Sequence, residues 1–256
     1  MRWAVAVVGS LHQSIKYLSP IYTYPDQDGD WYNIRENITL VSSELNVDSW
    51  EQVETRVLDL WCHDYLPQVG DTVIDLGAGI GDDSLAFSRL VGESGRVIAI
   101  EAHPHTFRSL VKTIHANGLK NIIAVNAAVS DLEGFIYISN EENFLSNSTQ
   151  IGQGGIPVKS RTLESIIKET GFERVDLIKM NIEGAETSAL IGMKQVLDTT
   201  PHVVVSCHDF KANRGEGEAF RTYDDVFKIL AASNYNLRNR PRDPRPEVPF
   251  YLYAKK

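Results

Sequence analysis

Cysteine is nearly absent from this 256-residue chain. Cys62 and Cys207 stand far apart, with no C-x-x-C pair and no spacing suited to metal ligands. A disulfide scaffold and a structural zinc site are thereby excluded, and a reduced, cytoplasmic setting is expected. Long apolar runs are also missing. The amino-terminal run from Trp3 to Val8 is too short to span a membrane and marginal for a signal peptide, so it is expected to form a strand or helix packed on the domain, with no membrane partner. There is no excess of basic residues either. The formal charge of -9 argues against a broad nucleic-acid footprint, leaving a small molecule as the expected partner. At this length, with 43% hydrophobic and 23% charged residues, one elaborated α/β domain is expected, and no internal repeat divides it.

What is present is organised around Thr72-Val-Ile-Asp-Leu-Gly-Ala-Gly-Ile-Gly-Asp-Asp83. An apolar run of strand length ends at Asp75. Glycines follow at 77, 79 and 81, and a helical pattern begins at Ser84. Glycines let the turn tighten and let a ligand approach bare backbone, while the first helical N–H groups point at whatever is bound. Dinucleotides and S-adenosylmethionine (SAM) are both served by this layout. A dinucleotide fingerprint would place glycine at position 82, where the chain has Asp82 followed by Asp83, and two carboxylates there are expected to repel a pyrophosphate. Glu101 closes the next apolar run twenty residues after Gly81, a spacing that suits hydrogen bonds to ribose hydroxyls.

Residues 1–66 read as an N-terminal extension and cap helix, and 67–256 as the cofactor-binding domain. In the extension, Pro20, Pro25 and Asp26–Asp30 read as turns, Trp31–Ile34 and Asn37–Val41 as short strands of a hairpin, and Asp48 as the N-cap of a helix running to Leu66. From Asp71 strands and helices alternate, which implies a mostly parallel sheet. The strands read are Thr72–Asp75, Val97–Glu101, Ile122–Asn126, Asp176–Met180, His202–Cys207 and Phe250–Tyr253, with helices starting near Asp82, Pro104, Gly184 and Glu218. Phe135–Ser139 reads as an added strand leading into a polar, glycine-rich loop over residues 140–155, expected to close over substrate.

Ligands of open parallel sheets sit beyond the carboxyl ends of the strands. The candidates there are Asp75, Glu101, Asn126, the corner Lys179-Met-Asn-Ile-Glu-Gly-Ala-Glu186, and His208-Asp209. Lys179, late in a buried strand, needs a partner, and Glu183 or Glu186 is the expected one. His208 is the expected base for deprotonating a hydroxyl. Asn181, Glu183, His208 and Asp209 are an alternative set for a divalent cation such as magnesium. The segment Arg238–Arg245 is either a basic lip for an anionic acceptor or a solvated turn.

In order, Val73-Ile-Asp-Leu-Gly-Ala-Gly-Ile-Gly81, Val97-Ile-Ala-Ile-Glu-Ala-His-Pro104, Asn126-Ala-Ala-Val-Ser-Asp131, Arg161-Thr-Leu163 and Val175-Asp-Leu-Ile-Lys-Met-Asn-Ile-Glu-Gly-Ala-Glu186 resemble the FkbM family of SAM-dependent methyltransferases. The resemblance implies a Rossmann-like class I methyltransferase fold with a seven-stranded, mostly parallel sheet flanked by helices. It implies SAM held by Asp75, Gly77, Ala78, Gly79, Gly81, Glu101, Ala102, Ala128 and Asn181, and O-methylation of sugars or polyketide-type natural products, with His208, Asn181, Glu183 and Lys179 as catalytic candidates. The family's corner reads Ile-Asp-x-Glu-Gly, whereas this chain has Met180-Asn181, and an asparagine cannot act as a carboxylate base. The rival readings are an NAD(P)-dependent oxidoreductase and a SAM-binding protein without transfer activity. The sequence leaves the acceptor, a metal requirement and a homo-oligomer open.

Overall fold

The computed structural model describes residues 2–17, 20–45, 48–138 and 155–256. The amino end forms a small unit. Helix α1 (Arg2–Tyr17) lies on an antiparallel sheet of β1 (Ile21–Pro25), β2 (Trp31–Arg35) and β3 (Ile38–Ser42), in that order. The predicted hairpin is β2–β3. Strand β1 occupies part of a stretch expected to be turns, because its alternation of buried and exposed residues was masked by the flanking prolines. Helix α2 (Trp50–Arg56) starts one residue later than expected, at a capping box in which Ser49 and Gln52 satisfy each other's backbone N–H. It runs into a π-helical turn, Val57–Trp61, and stops there rather than at Leu66.

The body of the molecule is built from β4 (Thr72–Leu76), α3 (Asp82–Val91), β5 (Arg96–Glu101), α4 (Pro104–Ala116), β6 (Ile122–Asn126), β7 (Ala128–Val129), β8 (Gly134–Ile138), β9 (Ile156–Arg161), α5 (Leu163–Thr170) and β10 (Leu177–Met180). It continues with α6 (Glu186–Ile191), α7 (Lys194–Thr199), β11 (His202–Ser206), α8 (Asp209–Asn213), α9 (Tyr223–Ala232), β12 (Asn236–Arg238) and β13 (Tyr251–Lys255). Seven strands form the central sheet in the order β12-β13-β11-β10-β4-β5-β6. The five from β11 to β6 are parallel, and β13 and β12 are antiparallel additions. This is the Rossmann-like arrangement expected. A second sheet, β7-β9-β8, carries the added strand. The closing loop expected over residues 140–155 lies, except for its last residue, outside the described residues.

Parallel strands covered on both faces read as continuous apolar runs, and alternate residues of β4, β5 and β10 enter two different cores. Ile74, Ile98 and Ile178 pack against α6 and α9, whereas Val73, Val97 and Leu177 pack toward α3 and the π-helical turn. Strand β12 was not read from the sequence because it is three residues long and none of them is fully buried. Among the helices, α5, α7 and α8 were also missed, and the start expected near Glu218 is a 3-10 turn, Glu218–Phe220, ahead of α9. Both cysteines are buried and free.

The amino-terminal unit is fastened to α4. Lys112 donates to Asp26, Asp28 and Asp30 at 2.5, 2.8 and 2.6 Å, and Asn117 exchanges two hydrogen bonds with the backbone of Thr39. Thr113 Oγ1 accepts the buried N–H of Val41 at 3.0 Å. The near-isosteric Thr113→Val removes that acceptor and leaves a buried donor unmet. It is expected to lower stability by about 1–3 kcal/mol, read from urea denaturation midpoints.

Candidate functional site

The chain leaves β4 toward β5 and β6 on one side and later returns to β10 and β11 on the other, so the loops following β4 and β10 part at their carboxyl ends. The first loop carries the glycines. Gly77 and Ala78 donate to Ile100 O at 3.0 Å each, which draws the loop across the end of β5. At Gly77 (φ +74°) an added Cβ would lie 1.9 Å from the carbonyl oxygen of Asn181, so the loops touch backbone to backbone. Gly79 (φ +57°) has only open space where a Cβ would be. That space belongs to a cleft of about 770 Å³, part of it open to solvent, running from Gly77 and Gly79 past Glu101 and Ala128 to Asn181 and Glu183.

Glu101 is fixed by two amides. Its Oε2 accepts from Gly79 N at 3.0 Å and its Oε1 from His103 N at 2.8 Å. Burial pushes its carboxyl up to about 7, against these two hydrogen bonds, which favour the anion. Asn126 donates to the carbonyls of Glu101 and Ala102 and steadies the strand end.

Lys179 does not pair with Glu183 or Glu186. It lies beside Asp75 in the sheet register, donates to Asp75 Oδ1 at 2.7 Å and to Gly77 O at 3.0 Å, and stands 3.6 Å from Asp83. Burial alone would lower Lys179, yet the charges of Asp75 and Asp83 hold it above its ordinary value. Asp75 also accepts from Ser84 Oγ at 2.5 Å, and no part of Asp75 is exposed. Asp82 and Asp83 both pair with Arg56, at 2.6 and 2.9 Å, and Arg56 also binds Asp48. The repulsion expected from this carboxylate pair is therefore partly offset by Arg56, and by Lys179 near Asp83.

A second buried network stands behind the β10 loop. His208 is 2% exposed, with Nδ1 at 2.8 Å from Glu186 and Nε2 at 3.3 Å from Glu183. Burial works against its charge, but Glu186 and Glu183 outweigh it and raise His208 to about 9, so the imidazolium persists at neutral pH. Glu186 accepts from Thr222 Oγ1 at 2.9 Å and from Gly184 N at 3.0 Å. Glu183, in the left-handed region at φ +54°, lines the cleft, and its carboxylate is bound by His208 through Oε1 and by Lys211 through Oε2 at 2.5 Å. These two cations outweigh its burial and hold its pKa below the ordinary value.

Of the residues expected at the site, Gly77, Gly79, Glu101, Ala102, Ala128, Asn181 and Glu183 line the cleft. Asp75, Ala78, Gly81, Lys179 and His208 do not. Asp75 and Lys179 brace the glycine loop from behind, Ala78 is buried, and Gly81 is the N-cap of α3, where a Cβ would meet Leu110 at 2.7 Å. His208 reaches the cleft only through Glu183. The departure at Asn181 costs the frame nothing, since its backbone N–H bonds to Leu76 O and its carbonyl meets Gly77. His103 and Thr106 also line the cleft. The signal for His103 was its place as N-cap before Pro104, whereas the aliphatic walls at Ala127, Val129 and Ile182 carry no sequence signal.

Asp209 serves as a cap, accepting from Thr222 N and Tyr223 N at 3.1 and 3.0 Å. Among the described residues no group of three or more His, Cys, Asp or Glu is disposed to hold a metal ion. The Arg238–Arg245 segment forms no lip to the cleft. Arg240 and Arg245 clamp it to Asp59 of the π-helical turn at 3.0 and 2.7 Å.

Replacing Lys179 by Met would leave Asp75 buried and unpaired. The expected loss is about 3–5 kcal/mol at pH 7 and smaller at acid pH, because burial favours the protonated form of Asp75. Urea denaturation at neutral and acid pH checks it.

The Methyltransferase FkbM domain matches residues 75–237, more than half of the chain. A protein-L-isoaspartate O-methyltransferase of Methanococcus maripaludis is 29% identical over 91 residues, 35% of this chain and 43% of that protein. The 2-O-methyltransferase NoeI of Sinorhizobium fredii is 32% identical over 87 residues, 34% of this chain and 35% of its own length. Other curated relatives are RNA methyltransferases. The matched stretch thus spans less than half the length of the first of these relatives. Aeropyrum pernix fibrillarin, solved with SAM bound, shares the fold at TM-score 0.52 and 15% identity, over 91% of this chain and 93% of that one. With the FkbM domain matched over residues 75–237, this chain belongs to the FkbM methyltransferase family.

Proposed function

We propose that this protein transfers the methyl group of SAM to a hydroxyl oxygen of a small or carrier-borne acceptor, such as a sugar or a polyketide-type natural product. The observation that carries this reading is the pairing of two carboxylates in one cleft, Glu101 fixed by backbone amides and Glu183 fixed by cations. The Glu101 carboxylate keeps lone pairs for the ribose hydroxyls. Gly77 and Gly79 leave backbone exposed for the methionine portion, and Ala102, Ala128 and Ile138 give the adenine apolar walls. When bound, SAM supplies a methyl group on a sulfonium sulfur that departs as a neutral thioether.

Glu183 does the work on the acceptor side. Its carboxylate accepts the hydrogen bond of the incoming hydroxyl and turns an oxygen lone pair toward the methyl carbon. As the C–O bond forms, the hydroxyl proton becomes strongly acidic and passes to Glu183, so even a carboxylate with a lowered pKa is a competent base. His208 and Lys211 keep Glu183 ionised and aimed, while Glu186 and Thr222 hold His208 from behind. The base role read for His208 thus moves to the carboxylate it supports. The names of NoeI and of the isoaspartate enzyme support oxygen as the acceptor atom, and the charge of -9 disfavours an RNA acceptor.

Calorimetry with S-adenosylhomocysteine, with and without magnesium, should show micromolar binding, and its absence under both conditions overturns the cofactor reading. Affinity should fall as pH drops from about 8 to about 6, because the Glu101 anion is lost below about 7, and Glu101→Gln should bind about tenfold more weakly with a flat profile. Glu183→Gln should keep that affinity while lowering turnover about 100-fold on any acceptor found by radiolabelled methyl transfer. Unchanged turnover would remove Glu183 from the reaction.

A further inference from the structure

The π-helical turn Val57–Trp61 lies ahead of residue 75, where the FkbM domain begins, and none of its residues lines the cleft. A turn of this kind holds one residue more than an α-helical turn, which redirects the side chains that follow, and such turns gather at functional sites. Here Cys62 N closes the turn on Val57 O at 2.8 Å. Leu58 is exposed and Asp59 half-buried, while Val57, Leu60 and Trp61 are buried. The arginine segment that forms no lip to the cleft fastens this turn from outside. Arg240 and Arg245 pair with the Asp59 carboxylate at 3.0 and 2.7 Å, and Arg240 also donates to Asp59 O at 2.9 Å. Arg56, immediately before the turn, pairs with Asp82 and Asp83.

Held in this way, the turn delivers an aromatic face to the lysine behind the glycine loop. Trp61 is 3% exposed, and its ring centroid lies 4.9 Å from Lys179 Nζ. Tyr251 packs on the same ring at 5.1 Å between centroids. An ammonium has three N–H groups. Asp75 and Gly77 O take two of those on Lys179, and Asp83, at 3.6 Å, is beyond hydrogen-bonding distance. Indole attracts a cation more strongly than the other aromatic rings do, and the attraction grows where water is excluded. The ring therefore completes the surroundings of Lys179 without competing for the N–H that binds the Gly77 carbonyl.

We propose that Trp61 is a positioning residue for cofactor binding. By holding the Lys179 ammonium on the Gly77 carbonyl, it fixes the backbone against which the methionine portion of SAM lies. The inference rests on the cofactor reading above. A tryptophan that only filled the core would act on stability alone, so affinity and stability together separate the two roles.

The test is calorimetry of the full chain with S-adenosylhomocysteine, with urea denaturation alongside. Trp61→Leu is expected to bind about tenfold more weakly, and Trp61→Phe, which keeps a π face, within about threefold of the parent. Leu60→Ala removes core packing from the same turn and is expected to lower the urea midpoint while leaving affinity unchanged. Should Trp61→Leu fail to fold, fluorinated tryptophan at the four tryptophan positions answers instead, since fluorine draws electron density from the π face and nearly keeps the ring's shape. Binding is then expected to weaken about threefold in the parent sequence and not at all in Trp61→Phe. Unchanged affinity in Trp61→Leu and in the fluorinated parent, or an equal loss in Leu60→Ala, overturns the proposal. Absence of binding by the parent itself overturns the cofactor reading, and this inference with it.

Discussion

An ammonium group with almost no access to water sits at the carboxyl end of β10, and the cofactor loop depends on it. Burying Lys179 is costly unless its charge is matched nearby, and here the match comes from elements that would otherwise be independent. Asp75 supplies it from the neighbouring strand, Asp83 from the first turn of α3, and Gly77 adds a carbonyl. Arg56 extends the series to α2 by pairing with Asp82 and Asp83. Strand, turn and helix are thus tied by alternating charges behind the surface that a ligand would meet. A glycine-rich segment is among the least ordered a chain can contain. Bracing of this kind turns it into a fixed backbone surface.

The same device appears on the other side of the cleft, with the signs exchanged. There a cation, His208, is the buried centre, and carboxylates surround it. One of the two residues, Glu186, is fully buried, while the other, Glu183, lines the cleft. Both networks stand where parallel strands end, because only there does the topology leave backbone and polar side chains uncovered. Buried ion pairs contribute little net stability. At these positions their effect is geometric, fixing the directions of Gly77 and Glu183.

Much of this could be read from the chain. Strands β4, β5, β10 and β11 announce themselves because burial on both faces demands unbroken apolar runs, β6 by its own apolar run at the half-exposed sheet edge, and Gly77, Gly79 and Glu101 because spacing along the chain sets their relation to a strand end. What failed to show depends on contacts distant in sequence. Lys179 finds its partner 104 residues away, beside it in the sheet rather than along the chain. The role of His208 turns on burial between two glutamates, which residue type cannot reveal. Strands β9 and β12 and helices α5, α7 and α8 owe their form to what they pack against. The expectation for α1 allowed a helix packed on the domain, whereas α1 lies on the sheet of the amino-terminal unit.

The contact between Gly77 and the carbonyl of Asn181 has a further consequence. At that point the loops after β4 and β10 meet main chain to main chain, with the Ile182 side chain beside them. Neither can shift toward the other, and neither gains a side chain there without parting the two. The glycine loop after β4 and the corner that bears Glu183 therefore behave as a single rigid jaw. Any opening of the cleft to admit or release a ligand must come from its other walls.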